Sequence, residues 1–550
     1  MVRKKTISLK KRLLAEGALF GMLFTLAACN GGGTSAVNGG IGSGAEAENE
    51  KGDYRSLEVD SLGDLPDCTD KRDGLEAYVA EESVAYVCMD EKWIKLSKSS
   101  SSKAKSRELS SSTDKDAGSS SSLNIGGPVL PEGGTTSSSS TNNNGGAISL
   151  PLLAANANAS YATNMYVSWL AYHFTTLENE AIYYPTIASD YVDVFSATYM
   201  PAGRVIWSAQ SSGSYKNICG VDDATVPAMK YRACTVSEGI GYGMLLAYFN
   251  GDSQTFDALW NYTRGMKAYY NTKLMPWITR SFLSDDIDIA SATDADIDIA
   301  TALILMHYKT KRVDYLVDAL TIVNAIWEQE IQQSDMLIYS GNTQMWKTDP
   351  VYNLSYFSPV AIRLFARVDP SHNWNGVLDA MYTYMAQVQD AGTGVFPDWS
   401  DASGAAKQPP NGAANNTYWL FHQESVRIPW HIAWDYYWYQ DARAKAILDK
   451  LNAFIVDPSR ANGDPTSTAL ATIYSWNLSV GADKSGIGAV PNQWLAAWCL
   501  TGISGNMSWL NNCTTAVNVA TLANTTSSYY SDILLATFSQ LLNGLYVRPY

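Results

Sequence analysis

Ser291-Ala292-Thr293-Asp294-Ala295-Asp296-Ile297-Asp298-Ile299-Ala300, running on into Thr301-Ala302-Leu303-Ile304-Leu305, places three acids at the head of an otherwise apolar helix. The first backbone N–H groups of a helix have no intrahelical partner, and the helix dipole favours negative charge there, so Asp294, Asp296 and Asp298 have a physical reason to gather at this end. A calcium loop is the rival reading of such a cluster. It is disfavoured because there is no Gly at the turn and no Glu at the offset of a bidentate ligand.

Outward from this helix, residues 149–550 keep apolar positions at three- and four-residue intervals, the pattern of α-helices with one face turned to a core. Candidate helices are Tyr161 to Phe174, Glu238 to Phe249, Gln254 to Tyr270, Asp296 to Tyr308, Val313 to Glu330, Tyr356 to Val368, Trp374 to Val388, Ser425 to Tyr439, Ala442 to Ile455 and Ser531 to Leu545. About 400 residues is large for one helical domain unless it is built from stacked helix pairs, and ten helices with one or two more suit six hairpins closed into a ring. Ahead of it, residues 97–148 are dominated by Ser, Gly, Thr and Asn, which cannot bury enough apolar surface to offset ordering entropy and so read as a flexible linker. Residues 30–53 form a shorter Gly-rich tether. Between the two, residues 54–96 hold Glu76-Ala77-Tyr78-Val79 and Val84-Ala85-Tyr86-Val87 around a polar turn, a β-hairpin module that so small a unit would need to staple, here through Cys68 and Cys88. Its expected role is that of a spacer, with an anchor to a surface partner or a carbohydrate-binding module as the alternatives.

The first residues are basic (Lys4, Lys5, Lys10, Lys11, Arg12), then apolar from Ala18 to Ala28, too short for a membrane-spanning helix and the right length for an export signal. The stretch ends Leu26-Ala27-Ala28-Cys29, which resembles the lipobox of bacterial lipoproteins. Residues 1–29 are therefore expected to be a lipoprotein signal with Cys29 lipidated, anchoring the exported protein to the outer membrane or cell surface, and an ordinary cleaved signal is the alternative. The chain has 7 Cys. Setting Cys29 aside leaves three local couples, Cys68 with Cys88, Cys219 with Cys234 and Cys499 with Cys513, read as disulfides because the protein is exported and no spacing suits a metal. A net charge of −15 argues against nucleic acid or an anionic membrane surface as partner, since both require a basic face. With 17 Trp and 33 Tyr, a neutral polymer with flat apolar faces is permitted, although most such rings serve the core.

A second acid in unusual surroundings is Glu238, in Thr235-Val236-Ser237-Glu238-Gly239-Ile240-Gly241-Tyr242-Gly243. Ser237 suits an N-cap, the glycines allow close approach, and apolar neighbours should raise the carboxyl pKa as a general acid needs. A Glu merely complementing the helix dipole is the plain alternative. Further along stand Leu274-Met275-Pro276-Trp277, Asn353-Leu354-Ser355-Tyr356-Phe357-Ser358-Pro359, Phe396-Pro397-Asp398-Trp399, Arg427-Ile428-Pro429-Trp430 with Asp435-Tyr436, and Tyr529-Tyr530-Ser531-Asp532.

These segments, with the Glu238 and Asp294 stretches and in this order, resemble glycoside hydrolase family 8 over essentially the whole chain beyond the linker. The resemblance implies an all-α (α/α)6 barrel with a cleft across one end, and inverting hydrolysis of a β-linked polysaccharide by a carboxyl pair about 6.5–9.5 Å apart, one protonating the leaving oxygen and one activating water. It implies Glu238 as the general acid and Asp294 as the group holding the sugar at the cleavage point, with Asp296 as second choice. Trp277, Tyr356, Tyr529 and Tyr530 would line the cleft, Asp398 would touch substrate and Arg427 would orient the base. No cofactor or metal is implied, and the five His form no ligand spacing.

The base is where this sequence departs from the family. Many members carry Tyr-Asp three residues before the Arg, whereas here the stretch is Gln423-Glu424-Ser425-Val426-Arg427. Glu424 is expected to act in its place, with Asp398, Asp401 and Asp435 as the next candidates. The extra methylene adds reach of about 1 Å, a displacement comparable to those that cost 10²-fold, so a compensating backbone shift is required. Pro429 belongs in a helix's first turn, which sets Glu424 just ahead of that helix. Ile240 stands where the family often has Gln, and Trp207 to Thr235 reads as an insertion clipped by Cys219 and Cys234 beside the acid. The expected enzyme is a monomeric endo-β-1,4-glucanase acting on cellulose or mixed-linkage glucan. A xylanase acting on xylan is the close rival, chitosanase trails, and an inactive surface glycan-binding protein is the alternative from another class.

Overall fold

A computed structural model describes residues 57–59, 61, 63, 65, 76–79, 84–89 and 92–95, and then residues 152–550 apart from 184–193, 196–197, 208–218, 220–232, 283–287, 390–392, 411–415, 478, 480, 485–490 and 526–527. The described residues fall into two compact units, one within residues 31–145 and the other within residues 146–550. Cys29 and Cys68 lie outside the described residues, so the expected lipidation and the Cys68–Cys88 bridge do as well.

In the smaller unit the expected hairpin is present. β2 (Glu76–Val79) pairs antiparallel with β3 (Val84–Met89), Val79 opposite Val84. It is extended on both sides, by β1 (Leu57–Val59) running parallel to β2 and by β4 (Lys92–Lys95) antiparallel to β3, making a four-stranded sheet.

In the larger unit, twelve helices of nine or more residues are found among the described residues. They are α1 (Ala159–His173), α2 (Ser237–Asn250), α3 (Ser253–Tyr270), α4 (Thr293–Thr310), α5 (Val313–Glu330), α6 (Pro359–Val368), α7 (Trp374–Gln389), α8 (Ile428–Tyr439), α9 (Ala442–Val456), α10 (Asn492–Leu500), α11 (Met507–Val517) and α12 (Tyr529–Leu542). Their burial sorts them into two layers. Almost every residue of α2, α4, α8, α10 and α12 is buried, whereas α3, α5, α7, α9 and α11 bury one face only. A helix apolar all round must be enclosed by others, and one with a single apolar stripe can face water. The even-numbered helices accordingly pack neighbour to neighbour into a closed inner ring, α2–α4–α6–α8–α10–α12–α2, with the odd-numbered ones outside it. This is the (α/α)6 barrel.

Local chemistry fixes where the helices start and stop. Gly251 and Asn271 terminate α2 and α3 in the left-handed conformation, and Asp252 caps α3 by accepting the Thr255 N–H at 3.0 Å. Pro359 and Pro429 sit in the first turns of α6 and α8, where a missing N–H costs nothing. Pro359 therefore leaves Tyr356 outside α6, in a 3₁₀ turn at Leu354–Tyr356, not inside the helix as the periodicity suggests. Ser237 does not cap α2. Val236 holds the cap position, and the Ser237 N–H donates instead to the Trp277 carbonyl at 2.9 Å. α10 and α11 are absent from the sequence-based set because stretches of nine and eleven residues hold few repeats of the helical period. Disulfides join Cys219 to Cys234 and Cys499 to Cys513, the latter tying the end of α10 to α11.

Because each outer helix returns the chain, the inner helices start from the same end of the barrel. The other end is filled by Tyr546, which stacks on Phe249 at 3.7 Å and meets Trp430 and Trp438 of α8 through hydrogen bonds of 3.0 and 2.7 Å.

Candidate active site

At the end where the inner helices begin, five segments contribute polar side chains. Glu238 comes from the first turn of α2 and Asp294 from that of α4. Glu424 and Arg427 come from the 3₁₀ turn Ser425–Arg427 and its cap ahead of α8, Asn353 and Tyr356 from the turn ahead of α6, and Tyr529 and Tyr530 from the start of α12. Helix N-termini carry partial positive charge, which helps a protein hold several carboxylates close together with few cations.

One guanidinium organises them. Arg427 Nη1 lies 3.0 Å from Glu238 Oε2 and 3.0 Å from Asp294 Oδ2, while Nη2 donates to Glu424 Oε2. The Arg427 side chain is 2% exposed, whereas the side chains of Glu238 and Glu424 are 21% and 29% exposed. The ion sits underneath and the two acids face the cleft. Glu238 Oε1 accepts from the Tyr529 hydroxyl at 2.9 Å, and Glu424 Oε2 accepts a second bond from Asn353 Nδ2 at 2.7 Å. The guanidinium carbon of Arg427 stands 5.4 Å from the centre of the Tyr356 ring, and the Tyr530 hydroxyl donates to the Gln423 carbonyl.

Charge and burial set the chemistry of Glu238. Burial, together with the negative charges of Asp294 and Glu424, pushes the Glu238 carboxyl up to about 7, against the pull of Arg427 and the Tyr529 hydroxyl. A carboxylic acid that holds its proton near neutrality is what general acid catalysis requires. Asp294 is also raised, mainly by burial.

The remaining acids named from sequence lie elsewhere. Asp296 is buried behind Asp294, with Oδ1 accepting the Met275 N–H at 3.0 Å, and so fastens the Trp277 loop to α4. Asp398, expected to touch substrate, is buried and accepts from His422 N, Glu424 N and the N–H and hydroxyl of Ser425, all through Oδ1. Burial and the Glu424 charge raise it to about 8, while the Ser425 and His422 donors pull it down. Asp401 holds its own turn through Ser403 and Ala405, and Asp435 is bound by Arg363 and Tyr382. Neither reaches the carboxylate cluster. Trp277 is half-buried beside α2, joined to it through its carbonyl.

Two contributors were not singled out in the sequence. Asn353 stands within a quoted segment but carries no charge or ring to draw attention. Tyr242, one turn along α2 from Glu238, lies 3.4 Å from Arg427 Nη1 and is visible only as an aromatic among glycines.

A helical double ring with three carboxylates on one arginine at its mouth is a frame suited to acid–base chemistry by carboxyl groups. The model of glycosyl hydrolases family 8 matches residues 225–540, more than half of the chain, and the protein belongs to that family. It is 34% identical over 235 residues to Endoglucanase C of Ruminiclostridium cellulolyticum, a match covering 42% of this chain and 48% of that protein, so the chain spans about half of that relative's length. It is 30% identical over 319 residues to a β-glucanase of Niallia circulans, covering 54% of this chain and 74% of the relative. Among solved structures, the apo β-1,3-1,4-glucanase of Paenibacillus sp. X4 superposes with a TM-score of 0.55 at 22% identity, over 72% of this chain and 95% of that one, which supports the fold.

Proposed function

We propose that the protein is an inverting, endo-acting glycoside hydrolase that cleaves β-1,4-linked glucan, either cellulose or mixed-linkage β-glucan. Glu238 gives its proton to the glycosidic oxygen as the bond to the anomeric carbon breaks. Glu424 takes a proton from a water whose oxygen attacks that carbon from the opposite face, and Asp294 holds the sugar between them. Glu424 Oε2 is occupied by Arg427 and Asn353, which leaves Oε1 for the water. The reading rests on one observation: Glu238 and Glu424 hang from opposite nitrogens of a single buried guanidinium, with the Glu238 proton retained to about 7. The names of the relatives that match favour glucan over xylan.

The test is proton NMR of fresh digests of carboxymethylcellulose, lichenan, xylan and chitosan. Initial α-anomers from the glucans are expected, and initial β-anomers would contradict inversion. Export with lipidation at Cys29 is part of the same proposal, placing a monomeric enzyme where polymeric substrate is found. Labelling of the wild type but not of Cys29→Ser by a fatty-acid probe is the expected result.

A further inference from the structure

Asp398 takes no part in the chemistry just described, yet a single oxygen of its side chain gathers the turn that carries Glu424. Oδ1 lies 3.1 Å from His422 N, 3.2 Å from Glu424 N, 2.9 Å from Ser425 N and 2.8 Å from Ser425 Oγ. Asp398 is itself fixed, its N–H donating to the Leu420 carbonyl at 2.9 Å. Two residues on, the short strand Ser400–Asp401 pairs with Val351–Tyr352, in register Val351 with Asp401 and Tyr352 with Ser400. That second strand leads directly into Asn353, whose side chain holds Glu424 Oε2 at 2.7 Å. One two-stranded ladder therefore grips Glu424 twice, by its backbone through Asp398 and by its carboxylate through Asn353.

We propose that Asp398 is a positioning residue for the water-activating carboxylate, setting the backbone of the 422–425 turn so that the longer Glu424 side chain delivers its free oxygen at the place of attack. The proposal rests on the reading of Glu424 as the base. Its physical content is geometric. A side chain one methylene longer than aspartate overshoots by about 1 Å unless its backbone is set back, and errors of that size cost about 100-fold in rate. A turn closed by three backbone N–H groups on one carboxylate oxygen is a rigid way to hold such an offset, because each donor left unsatisfied in a buried site would itself destabilise the turn. Asp398 is buried, with Oδ1 spent on the 422–425 turn, so its loss should leave ground-state binding nearly intact and slow the chemical step.

The experiment is a double-mutant cycle on the full chain with lichenan as substrate, comparing Asp398→Ala, Glu424→Gln and the pair, with Asp398→Asn as the conservative variant and near-UV circular dichroism as the check on folding. Asp398→Ala is expected to lower kcat about 100-fold with KM changed less than about threefold, and Asp398→Asn, which keeps an acceptor oxygen, to recover to within about tenfold of wild type. The pair should be no slower than Glu424→Gln alone, since a residue that acts only through Glu424 has nothing left to position. A folded Asp398→Ala enzyme with wild-type kcat overturns the proposal, and so does a pair whose losses multiply. Should Asp398→Ala fail to fold, Asp398→Glu decides: it keeps the acceptor but displaces the turn, so a lowered kcat at unchanged KM is expected and a wild-type kcat overturns the proposal. Wild-type activity in Glu424→Gln sinks the base assignment itself and the positioning role with it, an outcome distinct from failure at Asp398 alone.

Discussion

The side-chain amide of Asn353 donates to Glu424 Oε2 at 2.7 Å, on the same oxygen that receives Arg427 Nη2. One oxygen of the carboxylate is thus fully engaged and the other left open, an asymmetry suited to orienting a water. These partners are placed for glutamate. Glu424→Asp, although it restores the residue many family members use, is expected to lower kcat about 100-fold by drawing the carboxylate away from both partners. Initial rates on lichenan at saturating substrate check this, and a variant as fast as wild type would show that the site does not depend on the longer side chain.

Removing the acid should be costlier. Glu238→Gln is expected to lose on the order of 10²–10⁴-fold in kcat on carboxymethylcellulose. In the wild type the active form carries the Glu238 proton, so activity should fall as pH rises through about 7, where burial and the neighbouring charges have placed this carboxyl. Reducing-sugar release followed from pH 4 to 9 measures both. Equal rates for wild type and variant would leave only a glycan-binding role.

Tyr529 tunes that limb. Its hydroxyl donates to Glu238 at 2.9 Å and stabilises the ionised carboxylate, which lowers the pKa. Tyr529→Phe should therefore move the alkaline limb upward. A net hydrogen bond of about 1 kcal/mol corresponds to somewhat under one pKa unit, which sets the size of the expected shift. An unmoved or lowered limb contradicts the assignment.

Folding stability should also depend on pH through acids the chemistry does not use. Glu330 is fully buried, and burial raises it to about 7 although the Ser291 hydroxyl pulls the other way at 2.5 Å. An unfolded Glu titrates near 4.3, so the folded state binds the extra proton and stability falls as pH rises from about 4 through 7, by on the order of 3 kcal/mol for this group. Thermal unfolding should give a lower Tm at pH 8.5 than at pH 5. The difference should shrink in Glu330→Gln, which stays neutral and keeps an acceptor for Ser291.

Sequence by itself carried the helical class, because three- and four-residue periodicity is a local property of each segment. It also carried Glu238 and Asp294 as candidates, because acids at the starts of apolar helices stand out locally, whereas Glu424 and Arg427 were drawn out by the resemblance to glycoside hydrolase family 8. Proline and glycine chemistry marked several boundaries for the same local reason. The short helix Asn492–Leu500 escaped, since nine residues hold too few repeats of the helical period to mark it. What the tertiary structure alone decided is partnership: that Glu238, Asp294 and Glu424 share one guanidinium, that Asp398 turns inward to hold a loop, and that Asn353 reaches Glu424 across 71 residues of chain. Those outcomes depend on which distant segments meet when the inner ring closes, and no local pattern encodes a distance between residues that far apart.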